Sequence, residues 1–253
     1  MPKNNRAQRA PAPLWASQNF LTGGADIRRL LALTDISPRD HVLEIGPGKG
    51  HITRELLPRC GRLTAVELDS KLCAGLRERF GDSLSLREGD FLKAPLPKGP
   101  YKVFSNIPFS ETTAIISKLT GPGNPPEAAW LIVELGAAKR FSSGSVTALA
   151  LRPWFDVRIA AKIPREKFHP APSVDAALLE LRRKPVPDLP PSSQRAFRAF
   201  LTEGKRRGLT ALLTRRQISA ALRLEGLPPI PPDGNTRYVQ WLCLFRCYLK
   251  YRP

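Results

Sequence analysis

Apolar and polar positions along this chain alternate between two periods. In "GADIRRLLALT" (24–34), Ile27, Leu30, Leu31 and Ala32 fall at helical spacing and predict a helix. Short apolar runs of strand character then alternate with helical ones. "HVLEIG" (41–46) precedes "HITRELLPR", and "RLTAVEL" (62–68) precedes "SKLCAGLRERF". "SLSLREGD" (83–90) follows, then "YKVFSN" (101–106) with the helical "ETTAIISKL", and "AAWLIVEL" (128–135) with "GAAKRF". The last two runs, "VRIAAKI" (157–163) and "AALLELRRK" (176–184), are separated by a loop containing "FHPAPS" and no helix, which predicts an antiparallel hairpin. Alternation of this kind implies right-handed crossovers and a mainly parallel sheet with helices on both faces.

"RRKPVPDLPPSS" (182–193) breaks the pattern with four prolines and marks a boundary. Beyond it, "SQRAFRAFLTEGKRRGLTALLTRRQISAALRLEG" and "TRYVQWLCLFRCYLKY" have helical periodicity. The expected organisation is a flexible basic arm over 1–15, a sheet domain over 16–182, a proline-rich linker over 183–192 and a small basic helical domain over 193–253.

The chain is strongly basic. Forty Lys and Arg against 22 acidic residues give a formal +18, and residues 191–253 alone hold 12 Lys/Arg against 3 Asp/Glu, a net of +9. An excess of this size points to a polyanion, and nucleic acid is the natural one. Cys60, Cys73, Cys243 and Cys247 form no Cys-x-x-Cys pair, and His41, His51 and His169 are scattered, so no metal is expected. Unpaired thiols fit a reducing cytoplasm. No apolar run reaches the length of a membrane span, and "MPKNNRAQRAPAP" has no apolar core of a signal peptide.

"VLEIGPGKG" (42–50) is an apolar strand running into Glu44-x-Gly46-x-Gly48-x-Gly50. Glycines let the backbone turn tightly against a ligand at the carboxyl end of a first strand. The third glycine comes one residue too early for a dinucleotide loop, and no Ser or Thr follows Lys49 as in a phosphate-binding loop. Glu67, followed by Leu68, closes the second strand 21 residues after Gly46, where a carboxylate can accept both ribose hydroxyls. Asp90 closes the third strand beside Phe91, where it can accept the adenine amino group. Ribose and adenine without a pyrophosphate describe S-adenosylmethionine better than NAD. Seven strands with an antiparallel ending likewise suit the Rossmann-like methyltransferase version of the doubly wound α/β fold better than a dehydrogenase.

The fourth strand ends in Asn106-Ile107-Pro108-Phe109. The exocyclic amine of adenine is a poor nucleophile because its lone pair is delocalised into the ring. A site that methylates it must accept hydrogen bonds from the two amine protons as the nitrogen becomes pyramidal. The Asn106 side-chain oxygen and the Ile107 carbonyl can do this, Pro108 stiffens the turn, and Phe109 offers a face for a flipped-out base. A plain turn, with Asn106 capping a helix and Phe109 in the core, is the competing interpretation.

These motifs resemble the rRNA adenine dimethyltransferases, the family of the ribosome-biogenesis enzymes and the erythromycin-resistance (Erm) enzymes. The resemblance covers residues 17–182: "SQNFL" (17–21), "LEIGPGKGHIT", "AVELD", "GDF", "NIPF" and "FHPAPSVDAALLEL" (168–181) occur in the family's order. It implies that Asn19, the backbone of Leu21 and Asn106 touch the cofactor, that Glu44, Gly46 and Gly48 belong to its loop, that Leu68 and Phe91 stand beside it, and that Phe168 flanks the target base. "SNIPFSETTAII" and the short tail with "GKRRGLTALLTRRQ" resemble the resistance branch. That branch implies 23S rRNA as partner, a domain V-type hairpin met before ribosome assembly is complete, a monomeric enzyme and macrolide-lincosamide-streptogramin B resistance. In "VELGAAKRF" the chain departs from the polar residues usual after the fifth strand, while Lys139 and Arg140 can still meet phosphate. The best RNA-footprint candidates in the tail are Lys205, Arg206, Arg207, Arg215 and Arg216. Competing readings are a 16S-type dimethyltransferase of ribosome assembly, a non-catalytic RNA-binding or transcription-factor relative, and a small-molecule methyltransferase.

Overall fold

The computed structural model describes residues 20–231 and 234–251. The expected arm over 1–15 and Asn19 lie outside the described residues.

Seven strands build one sheet: β1 (His41–Ile45), β2 (Arg62–Glu67), β3 (Ser85–Glu88), β4 (Lys102–Asn106), β5 (Ala128–Glu134), β6 (Phe155–Ile163) and β7 (Ala176–Arg183). Their spatial order is β3-β2-β1-β4-β5-β7-β6. The first five run parallel, and β7 lies antiparallel between β5 and β6. The run at 83–90 is strand only over Ser85–Glu88. Strand β6 starts two residues earlier than its apolar run and shifts register between Ile159 and Ala161. Strand β5 is buried over six consecutive residues, as expected of a strand covered on both faces.

Helices α1 (Gly24–Leu31), α2 (His51–Leu56) and α3 (Ser70–Phe80) cover one face. They bury Ile27, Leu30, Leu56 and Leu76 against Val42, Ala65, Phe104 and Trp130. The other face receives α4 (Thr112–Leu119), α5 (Leu135–Ser142) and α6 (Val146–Leu151). Helix α6 has no counterpart in the sequence reading. "VTALAL" carries no polar stripe from which a helical period could be read, and its start is fixed by the Ser145 hydroxyl accepting from Ala148 N at 3.1 Å.

Helices α7 (Gln194–Arg207), α8 (Arg215–Leu224) and α9 (Tyr238–Tyr251) follow the prolines. Their core is continuous with the second face of the sheet: Trp154 meets Phe197 edge-on at 6.4 Å, and Phe197 meets Phe245 at 5.0 Å. The proline-rich stretch is fastened on both sides. Asp188 accepts from Lys184 at 2.7 Å and from the Tyr238 hydroxyl at 2.5 Å, and Trp154 Nε1 donates to the Leu189 carbonyl at 2.9 Å.

Candidate active site and cofactor cavity

Strand order reverses between β1 and β4, and there the two strands part. They pair only through Val42–Lys102 and Leu43–Val103. Two residues further on, the buried Ser105 hydroxyl accepts from Ile45 N at 3.0 Å and donates to the Ile45 carbonyl. A side chain thus satisfies two backbone groups that the diverging ladder leaves without partners. The gap opens at the carboxyl ends of the strands into a cavity of about 350 Å³, at the place where such sheets bind ligands.

Gly46 and Gly48 line its floor. Gly48 has φ +59°, and a Cβ there would overlap the Phe20 ring, so the loop needs glycine for both backbone and space. Gly48 N donates to Glu67 Oε2 at 2.9 Å, while Asp69 N donates to Oε1 at 2.9 Å. The Glu67 carboxylate, 3% exposed, is thereby fixed in the wall with lone pairs to spare for two hydroxyl donors. Leu68 lines the cavity beside it.

Asp90 and Phe91 line the cavity just beyond the end of β3, the neighbour of β2. Asp90 Oδ1 accepts from Leu92 N at 2.8 Å, and the Asp90 carbonyl accepts from Lys93 N and Ala94 N, which tightens the turn around it. The third wall is the turn after β4: Asn106, Ile107, Pro108 and Phe109 all line the same cavity. Ile107 is buried with its N–H on the Ile132 carbonyl at 3.3 Å, Pro108 has φ −57°, and Phe109 is half-buried at the start of the short helical turn before α4.

Three candidates sit elsewhere. Glu44 does not line the cavity. It shares the Val42 face of β1, under α2, where its carboxylate accepts from the Thr53 hydroxyl at 2.7 Å and is 1% exposed. Burial pushes its carboxyl up to about 8 from an ordinary 4.5; the Thr53 hydrogen bond partly offsets this and the Glu67 charge adds to it. Phe168 is 3% exposed in the core, opposite Leu21 in a two-residue antiparallel ladder of Phe20–Leu21 with Phe168–His169, so its ring is not offered to a base in this conformation. Leu21 turns its side chain into the same core, and its neighbour Phe20 faces the cavity instead. Phe20, Ser110 and Glu111 are wall residues that the motif reading passed over. The signal for Phe20 was available: successive strand residues point to opposite faces, so an inward Leu21 turns Phe20 outward.

The expected RNA contacts lie on the surface. Lys139 and Arg140 are exposed on α5. Lys205, Arg206 and Arg207 are exposed at the end of α7, and Arg215 and Arg216 at the start of α8. Arg206 and Arg207 are both held by Glu203, at 2.9 and 3.0 Å.

The donor set fits S-adenosylmethionine. Glu67, Asp69, Asp90 and Glu111 line the cavity, and among the described residues no lysine or arginine does, although the chain carries +18. A wall of carboxylates welcomes a ligand with a sulfonium and an ammonium and repels a pyrophosphate. Among the described residues no cluster of metal-ligating side chains occurs, and no helix is long and apolar enough to cross a membrane.

Comparison with known proteins agrees. The sequence profile of the ribosomal RNA adenine dimethylase family matches residues 16–222. The chain belongs to this family. An rRNA adenine N-6-methyltransferase of Lysinibacillus sphaericus is 36% identical over 92% of this chain and 95% of its own length. The mycinamicin-resistance protein MyrB of Micromonospora griseorubida is 32% identical over 91% and 77%. A ribosomal RNA small subunit methyltransferase A of Synechococcus is 35% identical over 84% and 82%. Among solved structures, the 23S rRNA methyltransferase ErmE superposes with a TM-score of 0.78 at 28% identity, covering 91% of this chain and 99% of that one. As a member of the ribosomal RNA adenine dimethylases the chain is an rRNA adenine N6-methyltransferase, with S-adenosylmethionine as methyl donor.

Proposed function

We propose that the chain methylates the N6 amine of an adenine in 23S rRNA and so confers macrolide-lincosamide-streptogramin B resistance, acting as a cytoplasmic monomer on a domain V-type hairpin before ribosome assembly is complete. The observation that carries the chemistry is that Asn106, Ile107, Pro108 and Phe109 line one cavity with Glu67 and Asp90. When bound, S-adenosylmethionine supplies an electrophilic methyl group on a sulfonium. Glu67 would hold the ribose and Asp90 the adenine amino group of that cofactor. The Asn106 amide oxygen and the Ile107 carbonyl accept the two amine protons of the target adenine, which frees its lone pair and stabilises the developing ammonium. Phe109 stacks on the extruded base, worth about 1–3 kcal/mol. No strong base is needed, because the proton leaves after the bond has formed.

The 23S target and the resistance role rest on the likeness to ErmE and to the mycinamicin-resistance protein. A 16S-type role is supported by the 35% identity to the small-subunit methyltransferase. Transfer of labelled methyl groups to protein-free 23S and 16S rRNA separates the two: label on 23S adenine is the expected result, and label on 16S alone would move the enzyme to ribosome assembly.

A further inference from the structure

The loop that carries Asp90 is tied down from a quarter the sequence motifs do not mention. Lys118, in the last turn of α4, places its ammonium against three backbone carbonyls of that loop. Nζ donates to Phe91 O at 2.7 Å, to Leu92 O at 2.9 Å and to Ala94 O at 2.5 Å, and it stands 5.0 Å from the centre of the Phe91 ring. The three donors of the ammonium are all used, on one loop of the cavity wall. From the inside the same loop is wound around Asp90, whose Oδ1 takes Leu92 N and whose carbonyl takes Lys93 N and Ala94 N. The loop therefore has one acidic centre facing the cavity side and one cationic centre behind it. Phe91 is held between them, 7% exposed and in the cavity wall.

We propose that Lys118 is a positioning residue for recognition of the cofactor's adenine: by gathering the carbonyls of Phe91, Leu92 and Ala94 it sets the aim of Asp90 and the tilt of Phe91. This rests on the reading that Asp90 meets the adenine amino group. Charge-assisted hydrogen bonds to carbonyls are short and strong, and three on one ammonium leave the loop a single conformation. Without them the three carbonyls must turn to water, and the peptide planes that orient Asp90 and Phe91 turn too. Burial lowers the Lys118 pKa while the Asp90 charge raises it, which agrees with an amine partly withdrawn from water and within reach of the Asp90 field. Lys118 also stands on the helix whose amino end follows the Asn106–Phe109 turn, so one short rigid element supports both walls.

The test measures binding, without RNA. Calorimetric titration of the full-length protein with S-adenosylhomocysteine and with S-inosylhomocysteine, which lacks the amino group, reads adenine recognition directly. Wild type should prefer the adenosyl compound; equal affinity for both would remove the Asp90 reading and this proposal with it. Lys118→Met should lower affinity for the adenosyl compound about tenfold, the effect of one strong hydrogen bond lost, and bring the preference close to unity. Lys118→Arg, which keeps the donors, should retain most of the preference. A Lys118→Met protein with the wild-type preference overturns the proposal whatever its melting temperature, as does an equal loss of both ligands, which is the mark of a merely structural lysine.

Discussion

The cofactor cavity and the basic face of the helical tail are built on opposite principles. Around the cavity, side chains are fixed by backbone groups: Glu67 is held by two backbone donors, Asp90 by one, and Ser105 closes both backbone groups of Ile45. On the tail, Lys205, Arg206 and Arg207 are exposed, and what order they have comes from Glu203 one turn away for the two arginines and from the Trp241 ring, 5.8 Å off, for Lys205. The first arrangement fixes one small ligand in one pose. The second supplies a field that a long polyanion can meet in many registers, and it asks little of side-chain geometry. Chemistry and grip are thus separable, and variants should separate them.

The largest effect is expected from Asn106→Ala. Methyl transfer to rRNA should fall on the order of 10²–10³-fold with cofactor affinity changed much less, as for the loss of one donor or acceptor aimed at developing charge. Transfer at more than a tenth of the wild-type rate would remove Asn106 from the chemistry. Next is Gly48→Val, which combines a left-handed backbone with overlap on Phe20. Cofactor affinity should drop at least about tenfold, in line with 1–2 kcal/mol of backbone strain, while binding of RNA by the apo-protein is retained. Removing Lys205, Arg206 and Arg207 together should invert that pattern, with RNA affinity lower, a flatter dependence on salt and an unaltered cofactor constant. Glu203→Gln sharpens the point: freeing two guanidinium groups should strengthen RNA binding by a few-fold and steepen the salt slope. An unchanged slope in both variants would take this patch off the RNA footprint.

The smallest effect concerns stability. Glu44 keeps its proton in the fold up to about pH 8, against an ordinary value of 4.5. Below the ordinary value both folded and unfolded chains are protonated, and burial of this carboxyl carries no charge cost. As pH rises through the window, only the unfolded chain gives up its proton readily, so stability declines toward pH 8. Glu44→Gln should match wild type near pH 4.5 and melt at a higher temperature than wild type near pH 8. Parallel melting curves across that range would show that Glu44 does not titrate in this window.

The contrast also explains what could be read from the residues. The sheet was legible because each strand is a short apolar run at the end of which chemistry sits, so Glu67, Asp90 and Asn106 could be aligned by position alone. Glu44 was misleading because it stands in the same motif, yet the two-residue period of a strand turns it under α2. Lys118 and Ser105 were invisible for a different reason. Their partners are backbone atoms, which have no identity in a sequence. Phe168 was expected to flank the target base, a role that its burial here does not display, and helix α6 had no polar face from which to infer it. The basic tail was legible as charge but not as a surface, because the Glu203 pairing depends on which side chains reach each other around a helix end.

The ladder of Phe20–Leu21 with Phe168–His169 has a consequence for the order of events during synthesis. Phe20 is among the first described residues to leave the ribosome, but its place in the cavity wall is secured by pairing with His169, made 149 positions later. A contact of such sequence separation forms late in folding. The glycine loop, Glu67 and Asp90 can therefore be in place on the growing chain while the wall beside Gly48 is still missing. An enzyme that acts on ribosomal RNA thus gains a closed cofactor cavity only after most of its sheet has already left the ribosome that makes it.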